Sequence, residues 1–179
     1  MRAALLALFL LGASPLLGTG PLLGTGRWLG AASAWAECTD APAPKVDWKR
    51  CRLDEKNLEG ANLAGASLRE ASFVRADLAG ADLSKADGFR AKFNSAHLTA
   101  AALAGARLAE ADFTRADLSG ANLARADLRR ARFFHASLKG ANLAGAQIAG
   151  ADFTGAELGG ATWTDGKTIC AEISVGQCN

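Results

Sequence analysis

His97 lies 20 residues after Asp77 and 20 before Asp117. If these three side chains meet, they could hold a divalent cation or sense pH, because imidazole changes charge near neutrality. Cys38, Cys51, Cys170 and Cys178 are the other reactive groups. Four thiols can make two disulfides or a tetrathiolate metal site. The pattern holds no catalytic set: no nucleophile stands beside a base, and no glycine-rich run has the spacing of a phosphate loop. What the His and Cys residues can do therefore depends on how the chain between them is coiled.

The composition narrows the choices. Of 179 residues, 50% are hydrophobic but only 7% are aromatic, with 20 Gly, no Tyr and one Met. Such a chain is too apolar for disorder, and its core must be built from small, regularly spaced groups. Lys and Arg number 20 against 18 Asp and Glu, a formal net charge of +2. That balance excludes a strongly basic nucleic-acid binder and an acidic tail.

The N-terminus reads as a targeting segment. Arg2 precedes a stretch from Ala3 to Gly26 without charge, and Ala34 and Ala36 offer small residues for cleavage before Glu37. The uncharged run is long enough for a retained anchor, but Gly18, Gly20, Gly24 and Gly26 weaken a spanning helix. Trp35 and Glu37 do not fit a lipidation motif around Cys38. We expect a signal peptide at 1–36, a linker at 37–45 containing Pro42 and Pro44, a repeat at 46–165 and a C-terminal cap at 166–179. The expected location is periplasmic or secreted, with no stable membrane anchor after cleavage.

Between them the chain is one repeat. Every fifth residue from Ala61 to Ala161 is Ala, 21 times without exception. Two residues later stands Leu, Phe, Ile or Trp, except at Gly88. The residue between is usually Asp, Asn or Ser. A period of five suits neither a helix nor a flat strand. Ala and Leu two apart face the same side of an extended backbone. The remaining two residues must then turn the chain. Phe73, Phe93, Phe113, Phe133 and Phe153 recur every 20 residues, and Leu58 to Leu158 form a column of Leu at the same spacing. Twenty residues per coil means four sides per coil. Six such coils of parallel strands make a rod roughly 29 Å long, wound right-handed by the bias of parallel crossovers.

The units Ala76-Asp77-Leu78, Ala116-Asp117-Leu118 and Ala141-Asn142-Leu143 resemble those of the pentapeptide repeat family. The resemblance implies an all-β fold, a right-handed quadrilateral parallel β-helix. It implies no activity, catalytic residue or cofactor. A few members are DNA mimics that bind gyrase and protect it from inhibitors. A mimic needs a strongly negative surface, whereas residues 51–163 carry 14 Lys and Arg against 13 Asp and Glu.

Geometry then limits the cysteines. The two ends of the rod are far beyond the ~7 Å limit for bridged Cα atoms. Only Cys38–Cys51 and Cys170–Cys178 can pair, one bridge per end, as suits an oxidising compartment. The same distance excludes a four-thiolate metal site. Outward residues also form columns. Lys92, Asp112, Arg132 and Asp152 alternate in sign, as do Glu70, Arg90, Glu110 and Arg130; we expect exposed salt-bridge ladders. We expect Asp77, His97 and Asp117 to form a solvated polar ladder rather than a metal site. At Gly88, either Phe89 swings inward through a bulge or a void remains. Phe89 and Phe134 are potential contacts for a partner, and Ala64, Ser84, Ala104, Ala124 and Ala144 make a flat strip of small residues.

The function expected is an exported, non-enzymatic scaffold or protein-binding module, without cofactor or metal. Its partners would be an unknown protein, with no nucleic acid, and a second copy joined through a solenoid end. The alternative is an inhibitor or protector of an enzyme by surface mimicry. The inward Ala column should tolerate no growth. Ala116→Leu should lose about 1–3 kcal/mol by overpacking, and Leu118→Met less than about 1.5 kcal/mol. Thermal melts giving equal losses would disprove the narrow interior.

Overall fold

The computed structural model describes residues 38–179. The expected signal peptide at 1–36 lies outside the described residues. From Asp47 to Thr162 the second residue of each unit forms a parallel bridge with the residue 20 positions on, beginning Asp47 with Ser67 and ending Asn142 with Thr162. These residues form a right-handed quadrilateral β-helix. Its sides are so short that each contributes one bridging residue per coil.

The unit has five residues because five satisfy the backbone. In the unit that begins at Ala76, the N–H of Asp77 donates down to Lys56 O (2.9 Å), and that of Leu78 donates up to His97 O (2.7 Å). The fifth N–H, Gly80, also donates up, to Thr99 O at 2.9 Å. The N–H of the next Ala, Ala81, closes a β-turn onto Leu78 O at 3.0 Å. The fourth N–H, Ala79, points outward and is taken by Asp77 Oδ1 at 3.1 Å. This local bond explains the Asp and Asn at second positions: the short side chain accepts from the residue two ahead. Asn57, Asn62, Asp82, Asp112, Asp117, Asn122, Asn142 and Asp152 do the same.

Each corner needs a left-handed residue. The fifth position has φ between 54° and 73° from Lys45 to Gly160, the requirement of a type II-like turn. Glycine fills it freely at Gly60, Gly80 and Gly120, as expected for turn glycines. Fourteen other corners are not glycine, among them Arg90, Glu110, Arg115 and His135. Each side chain there costs roughly 1–2 kcal/mol of backbone strain, which the surrounding ladder of hydrogen bonds holds in place.

The first and third residues fill the interior. Ala and Leu or Phe from Leu63 to Leu143 are almost wholly buried, each Leu or Phe contributing roughly 1.5–3 kcal/mol. Phe73, Phe93, Phe113, Phe133 and Phe153 stack with centroids 4.9–5.1 Å apart and planes within 4°. Trp48 closes the first layer, and Trp163 tilts onto Phe153 at 5.6 Å.

At Gly88 the structure departs from both expected outcomes. The register holds, with Asp87 bridged to Arg107, and Phe89 stays at its corner with its N–H on Asp87 Oδ1 at 3.3 Å. Leu108 of the coil above leans into the space, where a Cβ on Gly88 would lie 2.9 Å from its Cδ2. A longer side chain one coil up makes good the missing one.

The bond from the second position can be tested in one column. Asn122→Ala should lose about 1 kcal/mol, and Ala102→Asn should gain a similar amount. Chemical denaturation of both variants measures this; loss of stability in both would refute the role assigned to Asn122.

Candidate functional site

The ends come first. Cys38 pairs with Cys51 and Cys170 with Cys178, with Cα atoms 5.4 Å and 4.8 Å apart. The pairing is the one expected from the length of the rod. At the N-terminal end, Cys38, Pro42, Trp48, Leu53 and Leu58 line a recess of about 430 Å³. Trp48 Nε1 is the one buried side-chain donor without an acceptor among the described residues. At the C-terminal end the chain turns back and pairs antiparallel, Glu157 with Val175 and Thr162 with Ile169. It supplies three of the acceptors that a further coil would have offered: Ser174 O to Leu158 N–H, Cys170 O to Gly160 N–H and Thr168 O to Trp163 N–H, at 2.7–3.0 Å. Gly159 must be glycine here, since a Cβ would lie 2.5 Å from Glu172 O. Ile169, Ile173 and Val175 remain exposed on this cap, Ile173 at 89%. The sequence reading did not single them out; a cluster of β-branched residues beyond the last repeat was the available signal.

The His97 column forms, with Asp77, His97 and Asp117 bridged in succession. Its carboxylates are engaged locally. Asp117 accepts from Ser119 N–H at 2.9 Å, Ser119 Oγ at 2.6 Å and Thr99 Oγ1 at 3.2 Å. Among the described residues, no group of three or more His, Cys, Asp and Glu is placed to hold a metal ion. His135 lies edge-on to Phe134, ring centres 4.2 Å apart, and its imidazole lies over Gly155.

The charged columns pair less regularly than their alternation suggests. Glu110 binds Arg90 at 2.7 Å and Arg130 at 3.8 Å. Glu70 turns down to Arg50 at 3.1 Å. Asp112 is 3.9 Å from Arg132 and takes the N–H and hydroxyl of Thr114 at 2.9 and 2.6 Å. An exposed carboxylate takes the nearest donor, and a Ser or Thr two residues ahead is nearer than an Arg one coil away.

One corner is less uniform. Its fourth positions read Arg69, Phe89, Ala109, Arg129 and Ala149. Phe89 is half-buried, with the guanidinium carbons of Arg69 and Arg90 4.7 and 4.9 Å from its ring centre. Arg129 is held in a fork by Asp127 at 2.8 and 2.7 Å. Between Phe89 and Arg129, Ala109 leaves an indentation bordered by Glu110, Arg130 and Ala149. Sequence reasoning flagged Phe89 but not its arginines; reading fourth positions every 20 residues would have found them.

These features define a side-filled parallel β-solenoid with capped ends, whose distinctive chemistry lies at its corners and termini. The chain belongs to the pentapeptide repeat family: the pentapeptide-repeat model matches residues 47–87, 91–130 and 126–162 in eight copies. Members of this family are generally structural or binding modules. No curated protein matches the chain. Among solved structures, it is similar to a pentapeptide repeat protein of the cyanobacterium Cyanothece 51142, at 24% identity over 59% of this chain and 85% of that one, with a TM-score of 0.46. It is also similar to HetL of Nostoc sp. strain PCC 7120, a pentapeptide repeat protein involved in heterocyst differentiation regulation. That match has 35% identity over 69% of this chain and 64% of that one, with a TM-score of 0.31. A third is a plasmid-mediated fluoroquinolone resistance protein, 18% identical over 66% of this chain and 70% of that one, with a TM-score of 0.35.

The second-position carboxylates make the fold sensitive to acid. Burial raises the Asp117 carboxyl, but hydrogen bonds from Ser119 and Thr99 and the charge of His97 outweigh it and bring it below 3.8. Asp82 is lowered by hydrogen bonds from Ser84, and Asp127 by those from Arg129. Asp165, at the start of the cap, is brought to about 2 by the N–H groups of Thr168 and Lys167. A depressed carboxylate stabilises the fold above its unfolded value, and that contribution is lost as pH falls through the folded one. The melting temperature should therefore hold from pH 7 to 5 and fall from about pH 4 towards 2. A melting temperature unchanged at pH 2 would contradict it.

Proposed function

We propose that this protein is an exported, non-enzymatic scaffold that binds another protein through its outer surface. The observation that carries this reading is the filled interior. Ala and Leu or Phe occupy the inside of each coil along the rod, leaving no internal cleft of the kind that encloses a substrate. Binding then falls to corners and ends. Export is supported by the two disulfides, which persist in oxidising compartments. In this reading the chain comprises a signal at 1–36, a linker at 37–45, the solenoid at 46–165 and a cap at 166–179.

The same reading includes pairing of two copies through the C-terminal end. Its support is the exposed Ile169, Ile173 and Val175 on the cap. Mimicry of DNA is disfavoured, because acidic groups are interleaved with arginines along the rod, as at Arg90–Glu110–Arg130 and Arg69–Asp87–Arg107.

Fractionation of cells producing the protein, followed by cross-linking in the envelope fraction, tests the proposal. We expect the chain there, starting at Glu37, with all four cysteines oxidised and a discrete protein partner attached. A cytosolic chain with reduced thiols would overturn export. A chain that attaches to no protein in the envelope would overturn the binding reading.

A further inference from the structure

The corner of Arg69, Phe89, Ala109 and Arg129 is built as an interrupted stack. Residues 20 apart lie one over another, and the interior Phe rings show that side chains on successive coils stack at 4.9–5.1 Å. On the outside the same column runs Arg69, Phe89, Ala109, Arg129. The Arg69 and Arg90 guanidinium carbons already lie on Phe89, 4.7 and 4.9 Å from its ring centre. The Arg129 guanidinium is bonded instead to Asp127, at 2.8 and 2.7 Å. Ala109 puts only a methyl group at the level between. The result is a slot one coil high, with an aromatic floor and a cationic roof, inside an indentation of about 380 Å³.

A planar ring placed at the level of Ala109 would lie about one coil from each wall. That distance falls within the 4.5–7 Å centroid range of aromatic pairs, towards Phe89. It is also within the ~6 Å reach of a cation over a ring, towards Arg129. Arginines outnumber carboxylates at the rim, and each carboxylate but Asp127 is shared by two of them. Arg69, Arg90, Arg107, Arg129 and Arg130 surround the slot, against Asp87, Glu110 and Asp127. A neutral aromatic group would use the slot but not the rim. An acidic one would use both.

We propose that this slot receives an aromatic side chain from an acidic segment of a partner protein, the ring between Phe89 and Arg129 and its flanking carboxylates on the surrounding arginines. The proposal deepens the binding-module reading and rests on it. Arg129 and Phe89 hold the ring, and Arg107 and Arg130 select for negative flanks.

The probe is the peptide acetyl-Glu-Asp-Trp-Asp-Glu-amide, titrated into the protein and followed by amide chemical shifts. Saturable shifts centred on Phe89, Ala109, Glu110 and Arg129 are expected. Replacing the peptide's Trp by Ala, or its acids by Gln and Asn, should each weaken binding by about tenfold or more. Ala109→Phe fills the slot from the protein's own side and should weaken binding to the same degree, with an unchanged melting temperature. Arg129→Gln tests the roof without adding bulk and should also weaken it, while Phe134→Ala at a different corner should not. Three results would overturn the slot: shifts centred elsewhere, equal binding of the Trp and Ala peptides, or Ala109→Phe binding as the unaltered protein does. A partner captured in the envelope that binds Ala109→Phe undiminished would also overturn it, and would leave the binding-module reading standing.

Discussion

The structure depends on a corner. Every fifth residue from Lys45 to Gly160 turns the chain with a positive φ. That turn returns the next Ala to the inside. It also aims the N–H groups of the third and fifth residues at the coil above, where they meet carbonyls at 2.7–3.1 Å through the middle of the rod. Without the left-handed corner the sides would not close, and successive coils would not lie in register. A single corner at an arginine or glutamate is unfavourable by itself. It persists because it is one link in a ladder whose neighbours hold the same shape.

The interior follows from that closure. Four short sides leave a narrow square in which Ala fits at one inward site and Leu or Phe at the other. The Phe ladder and the Leu columns are a consequence: once coils repeat every 20 residues, like stands over like. The adaptation at Gly88 shows how local the packing is. Leu108 leans by one side chain and the hydrogen-bond register above and below is unchanged. Stability in such a rod is a sum over neighbouring coils, so the ends are where it is most at risk. Both are closed by a disulfide, and the C-terminal end also by a chain segment that runs antiparallel to the last coil and accepts from the N–H groups of Leu158, Gly160 and Trp163.

Because the inside is committed to packing, the variable chemistry is confined to the second, fourth and fifth residues of each unit. Second residues are partly used too, since Asp and Asn there accept the outward N–H of the corner. This leaves the corners and the cap. The mixed ion pairs along the rod interleave its two signs of charge, each exposed pair worth only about 0–1 kcal/mol. Against that even background, the stacked Arg69, Phe89 and Arg129 stand out as a departure from the repeat, as do the exposed isoleucines of the cap.

Much of this was legible in the sequence. The unbroken Ala column, the Phe column at 20-residue intervals and the position of the cysteines near the two ends determined a four-sided coil, its packing and its disulfides. They could do so because the period fixes which residues are neighbours, whatever their identity. Tertiary structure decided what the period leaves free. It placed arginines and glutamates, not only glycines, in left-handed corners, because the shared ladder outweighs the preference of a single residue. It turned Glu70 towards Arg50 and Asp112 towards Thr114, because long exposed side chains choose partners by distance. It let Leu108 fill the space over Gly88, brought Arg69 onto Phe89, and ran the last segment antiparallel with Ile173 outward. In each case the deciding contact is between groups whose rotamers, or whose place beyond the repeat, no period constrains.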